Sequence, residues 1–158
     1  MVSNVEIDAV LNTLANYGGC FSLDEIHLIK PAAFKGTSSF VLNTFESTYR
    51  SGGHWLLLSF FNSNSGVEVF DSVGTPSLIP NKIKMALAAF DNVQYTTNTL
   101  QNPFNNYCGY YVMGRCVSIY NGQSLKKFIS NFGCSVNAND RAIKKQVLQY
   151  INEQMDES

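Results

Sequence analysis

The sequence predicts an α+β fold: a mixed central β-sheet with a buried helix against it and further helices at both ends. Three observations carry this. HWLLLSFF is a continuous apolar run of strand length, suited to a strand buried on both faces. The segment from Cys108 to Tyr120 is apolar almost all round, as in a helix enclosed at the centre of a domain. Amphipathic, polar-capped patterns open and close the chain.

SNVEIDAVLNTLANYGG reads as the opening helix, with Ser3 and Glu6 as a capping box, Val5, Leu11 and Leu14 as apolar spacing, and Gly18 as its end. Glu25 to Lys30 alternates and stops at Pro31, as a short strand does. Ser38 to Phe45 is a second strand. After the polar STYRSGG comes HWLLLSFF, then a turn over Asn62 to Gly66, and VEVFDS as the hairpin partner. Beyond Pro76 and Pro80, NKIKMALAAF is a helix with Ile83, Leu87 and Phe90 on one face, and VQYTTNT alternates as another strand. Gly122 closes the central helix. Helices then span Ser124 to Phe132 and Asn139 to about Met155, capped by Ser124 and Asn139.

At 158 residues the chain predicts a single domain, 1–158, with no repeat or internal linker. A net charge of −1 gives no basic field for phosphate neutralisation, so nucleic acid is not an expected partner. No apolar stretch approaches the ~18 residues of a membrane span, and no leader is visible, so the protein is expected to be neither membrane-bound nor secreted. Cys20, Cys108, Cys116 and Cys134 form no CxxC pair, and only His27 and His54 could join them. No metal site, cofactor or disulfide is expected.

Chemistry concentrates in three segments: GGHW with His54 and Trp55, VFDSVG with Asp71, and QNPFNNYCGYY with Gln101 and Cys108. A cysteine attacks a carbonyl as thiolate, and a helix N-terminus favours that form while offering N–H groups to a developing oxyanion. Cys108 stands at the first turn of the predicted central helix, and Gly109 suits close approach of a substrate backbone. Hairpin pairing of residues 54–61 with 66–72 brings His54 near Asp71, an acid that can orient the imidazole and fix its tautomer. The Gln101 amide precedes the thiol on the same loop and can complete an oxyanion hole. Each element alone has a plainer reading: a surface histidine, an aspartate that forms a turn, a core cysteine, a solvated glutamine, a core tryptophan. The full set in this order favours a nucleophile–base–orienter site. Cys116 reads as core, and both it and Cys134 are expected to alkylate slowly.

GGHW before an apolar strand, an acid before Ser/Gly, and Gln followed seven residues later by Cys-Gly resemble the adenovirus-type maturation proteases (adenain family). These are related more distantly to the SUMO- and ubiquitin-like-protein proteases. VLNT at Val41 to Thr44 and GGCFSL around Cys20 extend the resemblance to roughly residues 5–120. It implies His54 as general base, Asp71 as its orienting acid and Cys108 as nucleophile. Gln101 and the Cys108 backbone N–H would form the oxyanion hole, with Trp55 walling the substrate groove. The implied fold puts the nucleophile on a central helix beside a mixed sheet. The implied reaction is peptide hydrolysis through a thioester, with glycine near the cleavage point. Implied substrates are capsid or core precursors of a small double-stranded DNA virus, virophage or related element, processed in the virion or infected host cell.

The chain departs from that pattern in four ways. It is shorter after the nucleophile helix, and its acid is aspartate where the human adenoviral type has glutamate. Ala88 to Leu100 holds no cysteine, so a disulfide-linked peptide activator is not expected. Lys126, Lys127, Arg141, Lys144 and Lys145 are nearly balanced by Asp140, Glu153, Asp156 and Glu157, as on solvated helix faces rather than a DNA site. Two other functions stay open: a deconjugating isopeptidase for a ubiquitin-like modifier, and a catalytically silent binding domain.

Overall fold

A computed structural model describes residues 1–48, 53–62 and 66–157. Its centre is a five-stranded mixed sheet in the order β1-β2-β3-β4-β5, built from Tyr17–Phe21, Ser38–Asn43, Trp55–Phe61, Gly66–Phe70 and Val93–Tyr95. β1 pairs parallel with β2 and β4 parallel with β5, while β3 pairs antiparallel with both β2 and β4. The helices are α1 (Asn4–Leu11), α2 (Asn81–Leu87), α3 (Cys108–Tyr120), α4 (Leu125–Ile129) and α5 (Val136–Asp156).

Alternation along β3 sends Trp55 and Leu57 to one face, and Leu56, Leu58 and Phe60 to the other. The first face packs on Ile7 and Leu11 of α1, Tyr111, Val112 and Cys116 of α3, and Ile143 and Val147 of α5. The second packs on Ile83 and Leu87 of α2 and on Ile26 and Ile29. β3 is therefore buried on both sides, which is why its sequence is an unbroken apolar run. Each fully buried leucine on it contributes about 1.5–3 kcal/mol. A buried ion pair fixes the central helix to the sheet: Arg115 of α3 donates from Nε and Nη2 to the Glu68 carboxylate of β4, at 2.9 and 3.0 Å.

Several boundaries differ from expectation. The opening helix stops at Leu11, and Tyr17–Phe21 is a strand; Ser3 and Glu6 do form the capping box, but Val5 is exposed and Ile7 takes the core position. Glu25–Lys30 is not a strand. Leu23–Leu28 forms a 3-10 helix, because Ser22 and Glu25 make a second capping box that the alternation concealed. β5 covers only Val93–Tyr95 of VQYTTNT. The last helix begins at Val136 under a Ser135 cap, while Asn139 is buried and bonds Leu100 and Gly133. The turn expected over Asn62 to Gly66 lies in part outside the described residues. No helix among the described residues is long and apolar enough to cross a membrane.

Candidate active site

The site forms where the N-terminal end of β3 and the C-terminal end of β4 meet the first turn of α3. Antiparallel pairing sets Leu57 opposite Phe70, so Asp71, one residue further, falls diagonally across from His54. His54 follows Gly53, whose φ of 80° lies in the left-handed region. The His54 backbone is pinned on both sides by Thr44: its N–H donates to Oγ1, and its carbonyl accepts from the Thr44 N–H, each at 3.0 Å.

His54 Nε2 is 2.5 Å from Asp71 Oδ1. The same Oδ1 accepts from the Val73 N–H at 2.9 Å, and Oδ2 accepts from Thr75 at 3.4 Å. The aspartate thus makes the turn contacts of its plainer reading and the imidazole contact together. Burial is the largest influence and raises its carboxyl, but the bond to His54, the imidazole's charge and the Val73 and Thr75 N–H groups together outweigh it; the carboxyl is held below the usual range. For His54, burial is the largest influence and works against charge. The bond to Asp71, then the contact with Cys108, overcome it and raise the imidazole to about 9.

Cys108 is the first residue of α3 and lines the same cavity as His54, close enough to favour the charged imidazole. Because Nε2 is engaged by Asp71, Nδ1 is the ring nitrogen left for the sulfur. The Trp55 backbone N–H also points at Cys108 Sγ, at 3.5 Å. Tyr107 precedes the helix and provides no side-chain cap, so the first N–H groups of α3 remain open to an anion. Gln101 is buried and joins Cys108, His54 and Asp71 around a cavity of about 300 Å³, whose walls include Val73, Leu78, Ile79 and Pro103.

Trp55 and Gly109 lie elsewhere. The Trp55 indole N–H donates to the Val2 carbonyl at 3.0 Å, and a Cβ on Gly109 would approach Val2 Cβ to 2.8 Å. The N-terminal residues therefore cover both. Trp55 faces a second cavity of about 690 Å³, shared with Met1, Val2, Glu25 and Phe45, and Asn106 borders both cavities. Cys108 lines the smaller of the two, and Asn106 is the residue they share.

Three supporting residues escaped the sequence reading. Ser72 donates to Gln101 Oε1, and Asn105 accepts from Gln101 Nε2. Asp140 accepts from Tyr111 and Asn105, so it is buried under the Gln101–Cys108 loop rather than lying on a solvated face. Only the Asp-Ser step of VFDSVG hinted at any of them. Cys116 is buried, and burial pushes its thiol up to about 12. Cys134 is exposed, which removes the basis for expecting it to alkylate slowly. Among the described residues, no group of three His, Cys, Asp or Glu side chains could hold a metal ion.

No family model matches this sequence, and no curated protein matches it. Solved structures share the fold. The ASFV pS273R protease superposes over 89% of this chain and 64% of its own, at 18% identity and a TM-score of 0.60. The Se-Met form of that protease gives 17% identity and 0.54. The SUMO protease Ulp1, with its catalytic cysteine oxidised to a sulfinic acid, superposes over 93% of this chain and 78% of its own, at 14% identity and 0.50. The chain spans just under two thirds of the ASFV protease, and the likeness is one of fold.

Proposed function

We propose that residues 1–158 act as one cysteine endopeptidase domain, with Cys108 as nucleophile, His54 as base and acid, and Asp71 as orienting acid. The observation that carries this is one cavity lined by His54, Asp71, Gln101 and Cys108, with Asp71 2.5 Å from the imidazole and the Trp55 N–H directed at Cys108 Sγ.

In the proposed reaction His54 takes the Cys108 proton, and the thiolate forms a C–S bond to the scissile carbonyl. The carbonyl electron pair moves to oxygen, where the Cys108 backbone N–H and Gln101 Nε2 receive it. The imidazolium, kept charged by Asp71, protonates the leaving amine as the C–N bond breaks. Water, deprotonated by His54, then attacks the thioester. Carboxylate product leaves and the thiol is restored.

The cavity lined by Cys108 and the larger one beside Trp55, adjoining at Asn106, suit an extended peptide running past the sulfur, which favours cleavage within a chain. The adenain-like motifs and the fold shared with the ASFV pS273R protease support a viral maturation role, on capsid or core precursors with glycine near the cleavage point. The fold shared with the SUMO protease Ulp1 supports a second reading, release of a ubiquitin-like modifier.

Two fluorogenic substrates separate these, each tested with wild type and Cys108→Ala. One is a short peptide with glycines at the scissile bond; the other is a ubiquitin-like protein carrying a C-terminal fluorophore. Cleavage of the peptide by wild type alone supports the endopeptidase. Cleavage of only the folded modifier moves the assignment to an isopeptidase, and activity retained in Cys108→Ala overturns the mechanism.

A further inference from the structure

Asp71 and Ser72 are consecutive, yet their side chains serve opposite sides of the site. Asp71 holds the imidazole. Ser72, fully buried, reaches the other way: its hydroxyl donates to Gln101 Oε1 at 2.5 Å. Its carbonyl accepts from the backbone N–H groups of Leu100 and Gln101, at 2.9 and 3.1 Å. The glutamine is thus bound to one residue through both main chain and side chain.

The orientation of the amide follows from donor and acceptor identity. Gln101 Nε2 lies 2.6 Å from the Asn105 carbonyl oxygen, which can only accept, so the nitrogen must be the end that faces it. Oε1 then points at Ser72, whose hydroxyl donates. One N–H of Nε2 is left over. Among the described residues it has no partner, and Gln101 lines the cavity that holds Cys108.

We infer that Ser72 is a positioning residue, whose hydroxyl tethers the Gln101 amide oxygen so that the spare N–H is fixed toward the oxyanion position. This rests on the protease reading above. A glutamine side chain has three rotatable bonds, and a donor that must reorient during each turnover loses most of its value. Without the hydroxyl, Oε1 becomes a buried acceptor with no donor, and the amide turns to find one, carrying the nitrogen away. Because Ser72 adjoins Asp71, one turn would set the geometry of both the base and the oxyanion hole.

Kinetics of Ser72→Ala, Gln101→Ala and the double variant test this. Gln101→Ala should lower kcat about a hundredfold and Ser72→Ala about tenfold, both with KM little changed. The double variant should be no slower than Gln101→Ala, because a tether has no effect once its amide is gone. The pH profile of Ser72→Ala should match wild type, since the His54–Asp71 bond is untouched. A purely structural serine would lower Tm alone. Wild-type kcat in Ser72→Ala, or multiplicative losses in the double variant, would overturn the inference.

A readout independent of turnover separates this inference from the protease reading. In ¹⁵N spectra the two side-chain amide protons of Gln101 should shift and exchange faster in Ser72→Ala, while core methyl signals stay in place. Unmoved Gln101 signals overturn the tether whatever the activity. A wild-type chain that cleaves nothing, yet shows the shift, overturns the protease reading and leaves the tether standing.

Discussion

His54 Nε2 and Asp71 Oδ1 stand 2.5 Å apart across the ends of two antiparallel strands, and the pair sets how the site responds to pH. The imidazole is raised to about 9 from an ordinary 6.5, because the Asp71 bond and the Cys108 contact overcome burial. A folded value above the unfolded one contributes stability that is complete below about pH 6.5 and is lost as pH rises through about 9. Asp71 has the opposite sign: its contribution is present above the ordinary carboxylate range and is lost as pH falls through its lowered folded value. Tm measured against pH should therefore fall on the alkaline side in wild type, and fall less in His54→Ala. An unchanged alkaline slope in the variant would contradict the pairing.

The same pair predicts activity. If the imidazolium donates to the leaving amine, kcat/KM should have an alkaline limb near pH 9, where His54 loses its proton. Asp71→Asn removes the charge that favours imidazolium, so that limb should move toward neutrality. His54→Ala should cost about 10²–10⁴ in kcat, more than Asp71→Asn, because an orienting group is partly replaceable. A limb that stays in place in Asp71→Asn would remove Asp71 from the mechanism.

The four cysteines should separate by environment when alkylated and mapped by mass spectrometry. Burial raises Cys20 to about 12 against the Tyr17 bond, and raises Cys116 to about 12 as well, so both should react slowly. Cys134 is exposed and should react readily, and Cys108 opens on the cavity beside His54. Cys108→Ala should lose peptidase activity with Tm nearly unchanged. Fast labelling of Cys116 in the folded protein would contradict its place in the core.

Much of this arrangement was legible because it depends on local pattern. The apolar run at Trp55–Phe61 and the helix beginning at Cys108 are each set by their own residues, and hairpin pairing then carries His54 to Asp71. What the pattern concealed depends on partners distant in sequence. Glu25–Lys30 alternates like a strand, yet the Ser22–Glu25 capping box, which begins three residues before that window, turns it into a helix. Ser72 and Asp140 look like ordinary polar residues until the fold brings Gln101 and Asn105 against them. The family resemblance makes Trp55 a wall of the groove, whereas its indole is engaged by the Val2 carbonyl, distant in sequence.

The Arg115–Glu68 pair is the main polar link between α3 and the sheet. Arg115 is buried, and besides Glu68 it donates to Ser118 Oγ and the Gln123 carbonyl and lies over the Phe128 ring. Arg115→Ala would leave Glu68 buried without its cation, at a cost of about 3–5 kcal/mol. Replacing both residues with apolar ones of similar size, as in Arg115→Met with Glu68→Leu, should recover most of that loss. Denaturant unfolding checks both. If the double variant were as unstable as Arg115→Ala, the pair would contribute through more than mutual charge compensation.

Phe104 is 94% exposed on the loop between Gln101 and Cys108, next to Pro103 in the cavity wall. A phenyl ring held in water has no folding role there. Across the same cavity Leu78 is 76% exposed, so the rim of the site presents apolar surface on two sides. Such surface contributes only when a partner covers it. In the protease reading that partner is substrate, and covering part of the ring contributes on the order of 1.4 kcal/mol, about tenfold in affinity. Phe104→Ser should therefore raise KM about tenfold with kcat and Tm unchanged, because the ring touches neither the reacting atoms nor the core. An unchanged KM on peptides with apolar residues flanking the scissile glycine would show that substrate does not cross the Pro103–Phe104 edge.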